Sequence, residues 1–388
     1  MRLSRRAERV EPFHAMAFGA RAAELEADGS RVIRLGLGEP DFGAPEAVRA
    51  ALRDAMDGRP LPYTPALGLP SLRADIARFY RDRHGVDVDP ARIAVTSGAS
   101  AALLVVLAAI ADEGDDVLLA DPSYPCNRQL IETFGARAVT VPADAAHRWQ
   151  PDAASLAAAW TPRTRAVMIA TPANPTGTTI RPAELDAICR LARDRGAWRL
   201  VDEIYLDLAD EGADGRRPAT VLARDPDAIV VSSFSKYFGM TGWRLGWAVL
   251  PPALVAPVER LAMNYFLCAS TPAQIAARAC FSPATLAECE ERRLELRARR
   301  GIALAGLAEL GLAVPVEPDG AFYVYADVTS TGMDADEFCR RALEEAHVSL
   351  TPGLDFGPAT ARSHVRLSYT ASRDDLREGL ARLRTLVP

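Results

Sequence analysis

Lysine is almost missing from this chain of 388 residues: Lys236 is the only one, and every other fixed side-chain cation is an arginine. On a surface, arginine replaces lysine at little cost. It cannot readily deprotonate, whereas lysine can supply the neutral amine that imine formation needs. Lys236 is therefore either a leftover surface lysine or a nucleophile, and its neighbours must decide. Cysteine is sparse as well. The six cysteines form no CxxC pair and have no histidine cluster beside them, which argues against a zinc site and a dense disulfide framework. A reducing cytoplasm is the expected location. No apolar run reaches the roughly 20 residues that span a bilayer, and the run from Ala101 to Ala111 stops at Asp112 and Glu113. Near the N-terminus, Glu8, Arg9 and Glu11 stand where a signal peptide needs its apolar segment. The formal charge of -6 gives no electrostatic reason to expect a nucleic-acid or membrane partner.

What is present fits a soluble globular protein, with 49% apolar and 25% charged residues. The length exceeds what one core usually serves, so a large domain with a smaller companion is expected. Helices are predicted over 16–28, 45–56 and 70–80, with a strand at Val32–Leu37. From Ile93 the pattern alternates. Short apolar strands at Ile93–Thr96, Asp116–Ala120, Ala166–Ala170, Trp198–Val201 and Ala228–Val231 are interspersed with helices at 100–110, 127–134 and 182–195. This βα alternation predicts an α/β fold with a mostly parallel sheet. The last hundred residues change character, with a charged helix over 287–310, strands at Ala321–Tyr325 and His364–Ser368, and helices over 334–345 and 373–383.

The segment SSFSKYFGMTGWRLG, residues 232–246, directly follows an apolar strand. Hydroxyls at Ser233 and Ser235, the sole lysine at Lys236 and the cation Arg244 together suit an aldehyde-bearing phosphate cofactor. Asp202 and Tyr205 lie at the end of another strand, where open α/β sheets bind ligands. A carboxylate there can favour a protonated pyridine nitrogen, although an isolated DExY is more often an ordinary strand terminus. Asn174, in the sequence Asn174-Pro175-Thr176-Gly177, reads alone as part of a turn. The Gly98-Ala99-Ser100 step between strand and helix can bind phosphate or simply cap the helix. Gly38 allows close backbone approach to a ligand or serves a plain turn. Tyr124 offers a flat face for stacking or packs in the core, and Arg366 can hold a carboxylate bidentately or form a surface ion pair.

Together these motifs resemble the fold-type I, class I/II aminotransferase family, over residues 30–375. The resemblance implies a mostly parallel large domain, a smaller α+β domain and pyridoxal 5'-phosphate as cofactor. It assigns the Schiff base to Lys236, phosphate binding to Ser233 and Arg244, and a weaker phosphate contact to Ser235. Asp202 is assigned the ring nitrogen, and Tyr205 and Asn174 the phenolic oxygen. The Ala99 backbone and Ser100 are assigned to phosphate, with Gly98 enabling the turn and Ala99 replacing the family's usual second glycine. Tyr124 is assigned stacking on the ring. Arg366, the Gly38 backbone and Asn174 are placed at the substrate. Tyr63 resembles a tyrosine that reaches the neighbouring subunit's cofactor phosphate, which implies a homodimer with shared sites. The implied layout is an N-terminal segment at 1–44 contributing to the small domain and dimer contacts, a cofactor domain at 45–285 and a small domain at 286–388. The expected activity is transfer of an amino group between an L-amino acid and a 2-oxo acid, with Lys236 moving the α-proton and Asp202 and Tyr205 assisting. A β-eliminating lyase and a non-enzymatic ligand-binding regulator are the alternatives. Ser100 stands where an aspartate-using branch has lysine, so aromatic and aliphatic substrates stay open. Phe322 and Tyr323 either contribute to the substrate pocket or pack in their strand.

Overall fold

The structure, a computed structural model, describes residues 2–212 and 215–387. Its strands are β1 (Ile33–Arg34), β2 (Ile93–Thr96), β3 (Asp116–Asp121), β4 (Arg137–Pro142), β5 (Thr164–Ala170), β6 (Trp198–Asp202), β7 (Ile229–Ser233), β8 (Gly246–Val249), β9 (Tyr323–Asp327), β10 (Val348–Ser349), β11 (Thr351–Pro352) and β12 (His364–Ser368). Seven form one sheet in the order β2-β8-β7-β6-β5-β3-β4. All neighbours run parallel except the two pairings of β8, which are antiparallel. The fold is thus α/β with a mostly parallel sheet, accompanied by the smaller antiparallel sheet β11-β12-β9.

Both faces of the large sheet are covered, so its central strands are apolar at successive positions and alternate residues serve different cores. Leu118, Val167, Val201 and Val230 join the core that includes Leu72, Ile76, Leu185 and Ile188 from helices Pro70–His84 and Pro182–Asp194. Their chain neighbours Leu119, Met168, Leu200 and Val231 join the other core, with Val105 and Val106 of helix Ala99–Ile110 and Leu254 and Val258 of helix Pro252–Phe266. Within β6, Arg199 is buried and forks onto Asp225 at 2.7 and 2.9 Å.

Some expected elements change. The strand predicted at Val32–Leu37 contracts to β1, because only Ile33 and Arg34 find ladder partners, at Val348 and Ser349. Strands β4 and β8 and the helices Ala153–Ala158, Pro252–Phe266 and Thr271–Ala277 are additions. The charged C-terminal helix starts earlier than predicted, at Pro283, where the Ser282 side chain accepts from the Thr285 amide. The carboxyl ends of β3, β5, β6 and β7 bring Asp121, Ala170, Asp202 and Ser233 to the same edge of the sheet.

Candidate active site

A cleft of about 220 Å³ opens at that edge. Its lining contains Gly38, Ala99, Ser100, Tyr124, Asn174, Asp202, Tyr205, Ser233, Ser235, Lys236, Arg244 and Arg366. Gly98 stands just behind the lining at φ +84, and a Cβ there would lie 2.5 Å from Arg244 Nη2. Tyr63 is elsewhere, 79% exposed in the single chain.

The loop from β7 to β8 supplies the sole lysine. Lys236 Nζ donates to the Gly38 carbonyl at 2.8 Å. Burial lowers the amine from the ordinary 10.5 to about 8; Glu39 and Asp202 oppose this, while Arg366 and Arg244 add to it. On the same loop, Ser233 Oγ accepts the Ser235 amide at 3.0 Å and lies 2.9 Å from Ser235 Oγ. Arg244 closes the loop in a left-handed conformation, φ +50, and donates to the Thr241 carbonyl at 3.0 Å. A Cβ at Gly246 would lie 2.8 Å from the Ala99 nitrogen, so glycine there lets β8 approach the start of helix Ala99–Ile110 closely.

Asp202 is buried at the end of β6, where its carboxylate accepts the Ile204 amide at 3.0 Å. Desolvation pushes it up to about 7 against that hydrogen bond and the pull of Lys236. Tyr205 is buried too, its hydroxyl 2.8 Å from that of Tyr323. Burial raises the Tyr205 phenol well above its usual range.

Arg366 reaches the cleft from β12. Its Nη1 donates to Asn174 Oδ1 at 2.7 Å and its Nη2 to the Gly36 carbonyl at 2.7 Å. The guanidinium carbon lies 4.4 Å from the Tyr323 ring centre and 4.9 Å from that of Phe356. Its Nε is a buried donor without a partner among the described residues. A guanidinium fixed on one edge and lying against two rings can receive a carboxylate.

Sequence reasoning missed part of the lining. Phe13, Met16, Leu37, Glu39, Leu103, Ala170, Ile204 and Thr241 also face the cleft. Leu37 and Glu39 flank Gly38 and could have been found from it. Phe13 and Met16 belong to no motif; their helix is brought in by Asp355, which accepts the His14 and Ala15 amides at 2.8 Å each. Tyr323, left open between pocket and packing, does both: it is buried in the core and lines the cleft.

Comparison with known proteins agrees with this geometry. The family described as "Aminotransferase class I and II" matches residues 30–383. Valine–pyruvate aminotransferase of Mycobacterium tuberculosis is 39% identical over 379 residues, covering 98% of this chain and 97% of the relative. A crystal structure of an aminotransferase from Mycobacterium tuberculosis superimposes with a TM-score of 0.95 at 39% identity, covering 100% of this chain and 99% of the other. The aspartate aminotransferase of Thermus thermophilus with maleate gives 0.94 at 34% identity, with full coverage of both chains.

Proposed function

The chain belongs to the class I and II aminotransferases, and from that premise we propose how its own residues divide the work. As a member it is a pyridoxal-phosphate-dependent enzyme that moves an amino group between an amino acid and a 2-oxo acid through a Schiff base. The bound cofactor supplies an aldehyde for that linkage and a ring that withdraws electrons from the substrate α-carbon.

The fit of the cofactor rests on Asp202. A buried carboxylate pushed up to about 7 is costly to ionise by itself, and a protonated ring nitrogen beside it reverses that cost. Ser233, Ser235, Arg244, Ser100 and the Ala99 amide hold the phosphate. This is supported by the clustering of hydroxyls and a cation beside a helix start, with Gly98 leaving room for the Arg244 guanidinium. Tyr124 would stack on the ring, and Tyr205 and Asn174 would bond its phenolic oxygen.

Arg366 binds the substrate α-carboxylate, with the Gly38 backbone and Asn174 beside it. Lys236 would carry the cofactor, and its Nζ would take the α-proton of the substrate. The observation that carries this role is the partly buried sole lysine with its amine lowered to about 8, close enough to neutrality to act as nucleophile and base.

The substrate side chain lies against Phe13, Met16 and Leu37. The cations of the lining are Lys236, Arg244 and Arg366, all engaged as above, and Glu39 adds an anion. This supports an apolar amino donor, in keeping with the valine–pyruvate relative. Two copies of the chain form a homodimer with shared sites, to which Tyr63 contributes. Tyr63 is exposed, as are Leu61, Tyr265 and Leu267, and Thr271 Oγ1 donates to the Pro62 carbonyl, holding the two segments together. The layout of 1–44, 45–285 and 286–388 belongs to the same proposal, supported by the separation of the seven-stranded and three-stranded sheets along the chain. So does a cytoplasmic location, in keeping with six free cysteines and with the absence, among the described residues, of a helix long and apolar enough to cross a membrane.

Borohydride reduction of the loaded protein followed by peptide mass analysis tests the Lys236 assignment. Cofactor attached to another residue, or normal turnover by Lys236→Ala, overturns it. A panel of amino donors with pyruvate, 2-oxoglutarate and oxaloacetate, with products identified, tests the donor class. Ammonia released without an acceptor would mark β-elimination instead.

A further inference from the structure

Tyr323 touches three of the groups assigned above, and no motif gave it a role. It starts β9 opposite Ser368, two residues along β12 from Arg366. Its ring centre lies 4.4 Å from the Arg366 guanidinium carbon, and its hydroxyl lies 2.8 Å from that of Tyr205. The third contact is with the loop that accepts the Lys236 amine. A Cβ on Gly38 would stand 1.9 Å from the Tyr323 hydroxyl, so that loop is seated directly on the phenol. The two tyrosine rings meet edge to face at 5.7 Å, and both side chains are buried. The charged groups around the pair are Arg366, Asp202, Lys236 and Glu39.

Two buried hydroxyls in contact place only one proton between them, so one donates and the other accepts. If Tyr205 donated to Tyr323, its proton would be spent inside the protein. Arg366 favours the opposite order: it acts on both phenols but lies directly against the Tyr323 ring, which makes Tyr323 the more willing donor. We infer that Tyr323 is a positioning residue with two jobs: its hydroxyl donates to Tyr205, aiming the Tyr205 proton at the cofactor's phenolic oxygen, and its ring fixes the carboxylate-binding arginine. The inference rests on the roles proposed for Tyr205 and Arg366. Hydrogen bonds in series strengthen one another, so loss of the first weakens the second.

The jobs separate by substitution. Tyr323→Phe keeps the ring and removes the donor; Tyr323→Leu removes both. With a weaker donor from Tyr205, the phenolic oxygen keeps more negative charge and holds the neighbouring imine proton more tightly. The pH midpoint of the visible absorbance of the cofactor-loaded protein should therefore rise by roughly half a unit in Tyr323→Phe. Its KM for amino acid should stay within about twofold, whereas Tyr323→Leu shows the same midpoint change and a KM raised about tenfold. In a Tyr205→Phe background, adding Tyr323→Phe should leave the midpoint where Tyr205→Phe alone puts it. The cofactor dissociation constant and thermal midpoint of each variant identify any that are misfolded, and Tyr323→Phe is the mildest change. A shifted Tyr205→Phe with an unshifted Tyr323→Phe overturns the relay alone. An unshifted Tyr205→Phe overturns the Tyr205 assignment and the relay with it. Equal KM increases in Tyr323→Phe and Tyr323→Leu overturn the role of the ring.

Discussion

Reductive methylation of the cofactor-free protein with isotope-labelled formaldehyde places methyl groups on Lys236, and because the chain has no other lysine it yields a single side-chain dimethylamine resonance. The chemical shift of that resonance reports the charge of the amine directly. Burial lowers the amine from 10.5 to about 8, a difference of roughly 3 kcal/mol against the charged form. At pH 7 about one such amine in ten is neutral, against roughly one in three thousand for an ordinary lysine. The titration should therefore centre near pH 8. Glu39→Gln removes the larger of the two anionic influences that oppose burial, so it should move the midpoint lower still. An N-terminal amine labelled at the same time is separated by its own shift and is absent from the peptide bearing Lys236. A midpoint in the ordinary lysine range, or one that rises in Glu39→Gln, would refute the view that desolvation prepares this amine.

Other expectations follow from the same geometry. Arg366→Ala should lower kcat/KM for amino acids by roughly two to three decades, the cost of removing one partner from a desolvated charge pair, and should flatten the preference for amino acids over their decarboxylated amines. An unchanged preference would remove Arg366 from the substrate. Ser100→Ala should leave the ranking of donors intact within about twofold even where cofactor affinity falls, as measured by the donor panel; a selective loss of acidic donors would contradict this. Arg199→Leu leaves Asp225 buried with the Asp227 amide at 3.3 Å and the Arg193 guanidinium at 3.9 Å, and should cost about 3–5 kcal/mol of stability, visible in denaturant unfolding of the cofactor-free protein.

The central strands were legible because coverage on both faces demands apolar residues at every position, and β5, β6 and β7 meet that demand with few interruptions. Strand β4 lies at the sheet edge, with exposed Arg137 and Pro142, and lacks that signature. Helix Pro252–Phe266 carries Pro257 in its interior, which by local rules argues against it; packing of Leu254, Val258 and Ala262 prevails. The over-long strand at Val32–Leu37 shows the reverse: an apolar run marks burial, while a strand also needs a partner, and β10 is two residues long. Much of the cleft lining was legible because motif residues follow directly on strands that end at one edge. Phe13, Met16 and the Tyr205–Tyr323 contact arise from segments far apart in the chain, and no local pattern encodes them.

The antiparallel pairing of β7 with β8 has a consequence for motion. Ser233 faces Gly246, and the Phe234 amide donates to the Leu245 carbonyl at 3.1 Å, so the loop bearing Lys236 and Arg244 is tied at its neck inside the sheet rather than at its rim. Releasing that neck means parting interior strands, an event on the scale of global unfolding. Amide exchange at Val230–Ser233 and Trp247–Val249 should be among the slowest in the molecule. Any adjustment for substrate entry and exit is therefore expected in other parts of the lining, such as the segment of Phe13 and Met16, where Met16 is 59% exposed.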